Sequence, residues 1–323
     1  MFLHIGLFFI GLLMLYGGAE YLVRGSSRLA IMVRIPPLII GVTVVAFGTS
    51  SPEFIVSFVA ALSDKIDVAI GNIIGSNIAN IGLILGISGI IRSISLRDTS
   101  IAREYLWMIF STILFWIFAL NGLITHFEGI VLLLGIIIFT VYLIRLSIKE
   151  RKNISINDEI PNESERFKSF SPGWRIGIYI FQIVCGIALL VWGSDVTIDA
   201  AMNIARILGV SEVIIGLSLV AFGTSLPELA TAIISIIRRE KAILIGNIIG
   251  SNIFNILFVG GSVSSIVSLP IKPRIITIDI PFMFLFSIVL LPMLYKRKKI
   301  TRLSGFFLFV SYILYIFYIY LKS

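Results

Sequence analysis

Gly41-Val-Thr-Val-Val-Ala-Phe-Gly-Thr-Ser-Ser-Pro-Glu53 returns 175 positions later as Gly216-Leu-Ser-Leu-Val-Ala-Phe-Gly-Thr-Ser-Leu-Pro-Glu228. A second pair keeps that offset: Gly71-Asn-Ile-Ile-Gly-Ser-Asn-Ile-Ala-Asn80 and Gly246-Asn-Ile-Ile-Gly-Ser-Asn-Ile-Phe-Asn255. Weaker matches share it, among them Gly11 with Gly186, Gly18 with Gly193 and Glu20 with Asp195. One offset at distant places marks an internal duplication, and a repeat governs every later step.

Each copy sets a carboxylate inside an apolar run, Glu53 between Pro36 and Leu62 and Glu228 between Ser211 and Ile237. A charge at bilayer depth costs roughly 2.5–3.5 kcal/mol on insertion scales, so it reads as functional by default. Pro52 and Pro227 cannot donate the helical hydrogen bond, and Gly48 and Gly223 weaken the preceding turn. The carbonyls so released need partners, which a membrane provides only around an enclosed water- or ion-filled site. Thr49, Ser50, Thr224 and Ser225 add hydroxyl oxygens at the same level. Carbonyls, hydroxyls and a carboxylate are hard oxygen donors suited to Ca2+ or Na+.

Working outward, charged residues make up only 14% of the chain and hydrophobic ones 58%, which excludes a soluble domain and predicts an all-α integral membrane protein. Ten apolar segments are long enough to span a bilayer: 3–23, 36–62, 68–91, 104–122, 127–148, 174–198, 211–237, 242–268, 276–295 and 303–321. The first lacks a basic leader and a cleavage site, so it is read as a span and not as a signal peptide. Five spans per copy is an odd number. The second copy therefore inserts upside down, giving two inverted repeats, residues 1–148 and 174–323, with spans 2–3 and 7–8 as the ion-binding core. Residues 149–173 are polar, too few for a domain, and read as a linker.

With the N-terminus outside, 21 of the 26 lysines and arginines fall on the inner side, and only Lys65, Arg206, Lys272, Arg274 and Lys322 fall outside. The expected topology has both termini extracellular and the 149–173 loop cytoplasmic in the cell membrane. The +8 net charge is then a topology signal, and no nucleic-acid partner is expected. The Lys296-Arg-Lys-Lys299 run is a cytoplasmic anchor for membrane lipid. Cys185 stands alone, so no disulfide forms within the chain.

Spans 3 and 8 open on small residues, which admit close helix approach. Ser76 with Asn80, and Ser251 with Asn255, stand four apart and share a helix face. So many amides in an apolar helix must meet a polar interior or each other. Asn72, Asn77, Asn247 and Asn252 suit a structural role better. Glu20 lies four residues before Arg24 and suits a surface pair.

The doubled Gly-Thr-Ser-Ser/Leu-Pro-Glu and Gly-Asn-Ile-Ile-Gly-Ser-Asn-Ile motifs resemble the two alpha repeats of the sodium/calcium exchangers, in the calcium/cation antiporter superfamily. That resemblance covers nearly the whole chain. It implies that Glu53 and Glu228 bind Ca2+ and Na+, with Thr49, Ser50, Thr224 and Ser225 as further oxygen ligands. It implies the carbonyls of Ala46 and Ala221, and Ser76, Asn80, Ser251 and Asn255, as the rest of the ion sites. It also implies alternating access, with spans 1 and 6 sliding over the other eight. One departure stands out: members often carry aspartate where this chain has Asn80 and Asn255, which leaves two central carboxylates.

These readings converge on a secondary antiporter that moves Ca2+ against Na+, with no cofactor and no protein partner implied. A Ca2+/H+ or K+-linked exchanger is the alternative. Proton-coupled relatives usually show Gly-Asn-x-x-Glu instead. Catalysis is disfavoured, because there is no His-Glu-x-x-His and both histidines, His4 and His126, are peripheral. A cation channel fits inverted halves with midplane ligands less well than alternating access does.

Overall fold

A computed structural model of the chain describes residues 1–96, 101–150, 170–209, 223–296 and 298–322. The described residues are helical apart from loops and four two-residue strands. The helices in chain order are α1 (Phe2–Val33), α2 (Pro37–Thr49), α3 (Ser51–Leu62), α4 (Ile66–Ile91), α5 (Ala102–Ala119) and α6 (His126–Lys149). There follow α7 (Pro172–Ile207), α8 (Leu226–Ile237), α9 (Lys241–Ile266), α10 (Ile275–Tyr295) and α11 (Arg302–Ile319).

Among the described residues, eight of these helices are long and apolar enough to cross a membrane, and α2 with α3 makes one broken span bent by 43°. The chain is therefore a multi-pass membrane protein. The first half of the expected span 211–237 lies outside the described residues, as does most of the 149–173 linker; α8 is what is described of that span.

The duplication is visible in the local structure. A π-helical turn opens at Asn80 in α4 and another at Asn255 in α9, and the helical segments Ser51–Leu62 and Leu226–Ile237 begin and end at matching repeat positions. Two minimal ladders close loops: β1 (Ile94–Ser95) on β4 (Lys299–Ile300), and β2 (Leu123–Ile124) on β3 (Leu269–Pro270). Apolar periodicity carries no signal for pairings this short.

Two helices outrun the expected spans. α1 continues ten residues past 23, and α7 nine past 198. Charge at Arg24 and Asp199 ends an apolar run but not a helix. What stops α1 is Arg34 in the left-handed conformation (φ 57°), whose N–H returns to the Ala30 and Ile31 carbonyls ahead of Pro36. Gly209 (φ +81°) follows the end of α7. At 1.5 Å per residue they are about 48 and 54 Å long, well beyond the roughly 30 Å hydrocarbon core.

The chain forms two compact units, each drawing on both sequence halves. Unit 1 comprises Met1–Thr49 and Thr140–Asn247. Its frame is α1 against α7, which run antiparallel: Gly11 meets Gly193 and Gly18 meets Gly186. A Cβ on Gly18 would stand 2.8 Å from the Gly186 carbonyl oxygen, so only glycine permits this backbone contact. Leu15, Ala19, Leu22 and Val23 of α1 form a core with Ile183 and Leu190 of α7, Ile234 of α8 and Ile243 of α9. At one end Glu20 pairs with both Arg24 and Arg238, and the Ser27 hydroxyl donates to Glu240 at 2.7 Å.

Unit 2 comprises Ser50–Phe139 and Ile248–Ser323. Here Gly305 of α11 sits against Gly86 and Gly89 of α4, and Gly129 of α6 against Ser264 and Ser265 of α9. Helices α4 and α9 are the most enclosed of the eight spanning helices described: 83% and 89% of their spanning windows are buried, against 22–39% for the other six. These two carry the amide-rich motifs, so the polar residues sit where lipid cannot reach.

Glu240 lies between α8 and α9, outside the spans. Burial pushes its carboxyl above the ordinary 4.5, and the Ser27 hydroxyl pulls it part of the way back. A raised carboxylate penalises the fold above its unfolded pKa, so stability falls as pH rises through the folded value. Ser27→Ala removes a hydrogen bond worth about 1.5–3 kcal/mol to the charged form and about 0.5–1.5 to the neutral one. Thermal unfolding is expected to show the larger Ser27→Ala deficit near about pH 8 and the smaller near about pH 4. Equal deficits would contradict a pairing with ionised Glu240.

Candidate functional site

The carboxylates come first because their position is the costliest. Glu53 opens α3 and Glu228 opens α8, each within the first turn, and each side chain is 1% exposed. A helix N-terminus presents unpaired N–H groups and the positive end of the dipole, which favour a carboxylate there. The backbone just ahead is the same in both copies: Ser50 has φ −85° and ψ 8°, and Ser225 has φ −88° and ψ 5°. The proline one residue before each carboxylate enforces the break.

In unit 1 the break before α8 is held by α7. Pro227 cannot donate to the Gly223 carbonyl four residues back; the Ser194 hydroxyl donates to it instead, at 2.8 Å. A Cβ on Gly223 would stand 2.2 Å from Ile198 Cδ1, and one on Gly48 2.5 Å from Ile187 Cδ1. One helix thus covers both glycines ahead of the breaks. The Thr49 hydroxyl lies 3.1 Å from Asn247 Oδ1 and 3.4 Å from the Ala46 carbonyl. Thr49, Thr224 and Ala46 are buried and belong to the same unit as Glu228. Ala221, the expected counterpart of Ala46, lies outside the described residues.

Unit 2 holds Glu53 together with Ser50, Ser76, Asn80, Ser251 and Asn255, all at most 3% exposed. Ser76 Oγ and both side-chain polar atoms of Asn80 and Asn255 have no hydrogen-bond partner among the described residues. Each such group costs about 1–3 kcal/mol in a dry interior. The neighbouring amides are half served: Asn77 donates to the Ile73 carbonyl at 2.6 Å and Asn252 to that of Ile248 at 2.9 Å, while their Oδ1 atoms have no partner among the described residues. Spacing alone does not separate Asn77 from Asn80; the hydrogen bond that the Asn77 amide makes to its own helix does. The unpartnered amide oxygens are hard donors that a cation satisfies.

Asn72, expected to be structural, is so at a place that the sequence did not specify. Its amide donates to the Glu53 carbonyl at 3.1 Å and to Ser57 Oγ at 2.9 Å, so it fixes the turn that carries the carboxylate. Its place in the repeated Gly-Asn-Ile-Ile motif was the available signal. Glu104, 1% exposed at the start of α5, was also not singled out. Among the described residues no three His, Cys, Asp or Glu side chains cluster as a metal site. A cation would therefore lean on hydroxyls, amides and carbonyls for most of its ligands.

Comparison with known proteins identifies the family. The family model described as sodium/calcium exchanger protein matches residues 3–145 and 178–321. The inner membrane protein YrbG of Escherichia coli is 35% identical over 302 residues, covering 92% of this chain and 90% of that one. The sodium/calcium exchanger MaX1 of Methanosarcina acetivorans is 29% identical over 348 residues, covering 96% and 97%. A solved structure of the sodium-calcium exchanger NCX_Mj, soaked with 2.5 mM Na+ and 0.1 mM Ca2+, superposes with a TM-score of 0.82 at 32% identity and 97% coverage of each chain. These neighbours are transporters and membrane proteins, and this chain belongs to the sodium/calcium exchanger family.

Proposed function

We propose that this chain is a secondary antiporter that exchanges Ca2+ for Na+ by alternating access, with Glu53 and Glu228 as its ionised ligands. The observation that carries the reading is the duplicated one: a buried carboxylate directly after a proline break, repeated at one offset. Thr49, Ser50, Thr224, Ser225, Ser76, Asn80, Ser251, Asn255 and the carbonyls of Ala46 and Ala221 are the further oxygen ligands. Two carboxylates neutralise one Ca2+. Several Na+ ions claim overlapping oxygens and displace it, and the direction of exchange follows the larger gradient.

The architecture we infer is ten spans in two inverted five-helix repeats, 1–148 and 174–323, joined by a cytoplasmic 149–173 loop with both termini outside. The antiparallel run of α1 against α7 and the bias of basic residues support it. Helices α1 and α7 are the moving gate. Their glycine contacts leave few interlocking side chains to resist sliding.

The test is radioactive Ca2+ uptake into proteoliposomes loaded with Na+, beside vesicles with a pH gradient and no Na+. Uptake driven by internal Na+ is expected. Uptake driven only by the pH gradient would make this a Ca2+/H+ exchanger, and uptake needing neither gradient would make it a channel. Glu53→Gln and Glu228→Gln are each expected to cut Na+-driven uptake by about a hundredfold or more, since stripping a buried charge of its partner costs roughly 3–5 kcal/mol. Robust flux in either variant would remove that residue from the site.

Two further variants probe the surroundings. Asn255→Asp restores a third carboxylate and is expected to shift the Na+ or pH dependence of uptake; an unchanged profile would make the position structural. Asn72→Ala frees the Glu53 turn and is expected to weaken apparent Ca2+ affinity about five- to tenfold in protein that still folds. Wild-type affinity would show that the α3 turn holds without it.

A further inference from the structure

Helix α8 carries two faces. Leu226, Ala230 and Ile234, spaced four apart, pack into the core built on α1. Glu228, Thr231 and Ser235 share a different face, turned about 130° from the first. Thr231 and Ser235 are fully buried, at 0% exposure, and their hydroxyls have no hydrogen-bond partner among the described residues.

Several buried hydroxyls in other helices bond back to the carbonyl four residues earlier: Thr112 to Met108 at 2.9 Å, Ser147 to Leu143 at 2.8 Å, Thr197 to Gly193 at 2.6 Å and Ser287 to Met283 at 2.9 Å. Ser26, Ser76 and Ser88 lack a partner, as Thr231 and Ser235 do, but only the last two stand one turn apart on the helix that carries Glu228. Thr231 and Ser235 make no such bond. Water or a cation can serve two unpartnered hydroxyls one turn apart; a dry apolar neighbour cannot.

The first repeat has no such stripe. The positions matching Thr231 and Ser235 are Val56 and Ala60. The one hydroxyl there, Ser57, receives the Asn72 amide at 2.9 Å. The feature is thus one-sided although the carboxylates are duplicated.

We propose that Thr231 and Ser235 form a wet lining between Glu228 and the Arg238 end of α8, where water and a partly dehydrated cation approach the carboxylate. The hydroxyls replace part of the hydration shell on the way in. The apolar Val56 and Ala60 leave the approach to Glu53 without that replacement. This assignment rests on Glu228 being an ion ligand, and it adds a selectivity element on one side of the membrane only. The loop charges make that side the cytoplasm.

The test uses the full-length protein in proteoliposomes with Cys185→Ser as background. Thr231→Cys and Ser235→Cys are each exposed to a membrane-impermeant cationic methanethiosulfonate, added on the Arg238 side and read by mass. Both thiols are expected to react, and saturating Ca2+ is expected to slow the reaction about tenfold or more. Val56→Cys and Ala60→Cys, treated from the opposite side, are expected to stay unmodified. In parallel, the near-isosteric Thr231→Val with Ser235→Ala is expected to raise the half-saturating Na+ concentration on the Arg238 side about fivefold, with the opposite side unchanged. Inert thiols at 231 and 235 would overturn the lining. Labelling at 56 and 60, or an equal shift on both sides, would overturn its one-sidedness. A wild-type protein without Na+-driven Ca2+ uptake would instead overturn the exchange reading, and reactive thiols in that protein would still leave the stripe wet.

Discussion

A carboxylate held in a bilayer must be repaid locally, and most of this structure follows from how that is done twice. Each carboxylate sits at a helix N-terminus, and a helix N-terminus inside an apolar span requires a broken helix. A broken helix exposes carbonyls and N–H groups that lipid cannot satisfy. The break therefore has to lie against polar side chains or another helix. Glycine ahead of the break lets a helix cover it, as α7 does with Ile187 and Ile198. The amide-rich helices α4 and α9 are accordingly the best shielded of the spans. Remove the carboxylates and none of these features has a reason to be there.

The second constraint is close packing without a hydrophobic driving force. Lipid is as apolar as leucine, so helices associate by fitting together and by hydrogen bonds. The glycines that match across the repeat do not face their repeat partners. Gly11 aligns with Gly186 in sequence yet packs on Gly193, and Gly18 aligns with Gly193 yet packs on Gly186. Two copies of one helix, laid antiparallel, exchange contacts in this way. A stripe every seven residues then keeps two long helices in backbone contact across several turns.

Much of this was legible because its signals are local and repeated. The proline-glutamate breaks, the family, the helical membrane class and most spans follow from residue order and hydropathy. What escaped depended on geometry that periodicity does not encode. The ends of α1 and α7 are set by a left-handed cap at Arg34 and by Gly209, not by where apolarity stops. Glu20 was expected to pair with Arg24 and does, but Arg238 is distant in sequence and joins it only through the fold. The separation of Asn77 from Asn80 rests on which carbonyl an amide reaches, and an amino-acid string is silent on that. Asn72 looked like glue and is glue, but what it holds is the Glu53 turn.

The duplication is most faithful at the breaks and loosest around them. Gly, Thr, Ser, Pro and Glu recur in both copies, and the serines at the bends adopt nearly the same backbone angles. The clasp on the second break does not recur. Ser194 donates to the Gly223 carbonyl, and the matching residue on α1 is Ala19, which has no hydroxyl to give. A carbonyl engaged by a hydroxyl is a weaker cation ligand than one without a donor, because its lone pairs are partly spent. The two breaks therefore share a backbone path and differ in electrostatics. On the proposed exchange mechanism, two inverted copies need matching helices to carry one ion set to either side, but the two sides of a membrane are not alike. Residues that shape the path can stay equal while the hydroxyls beside them diverge, and that is the pattern that Ser194, Ser57, Thr231 and Ser235 make.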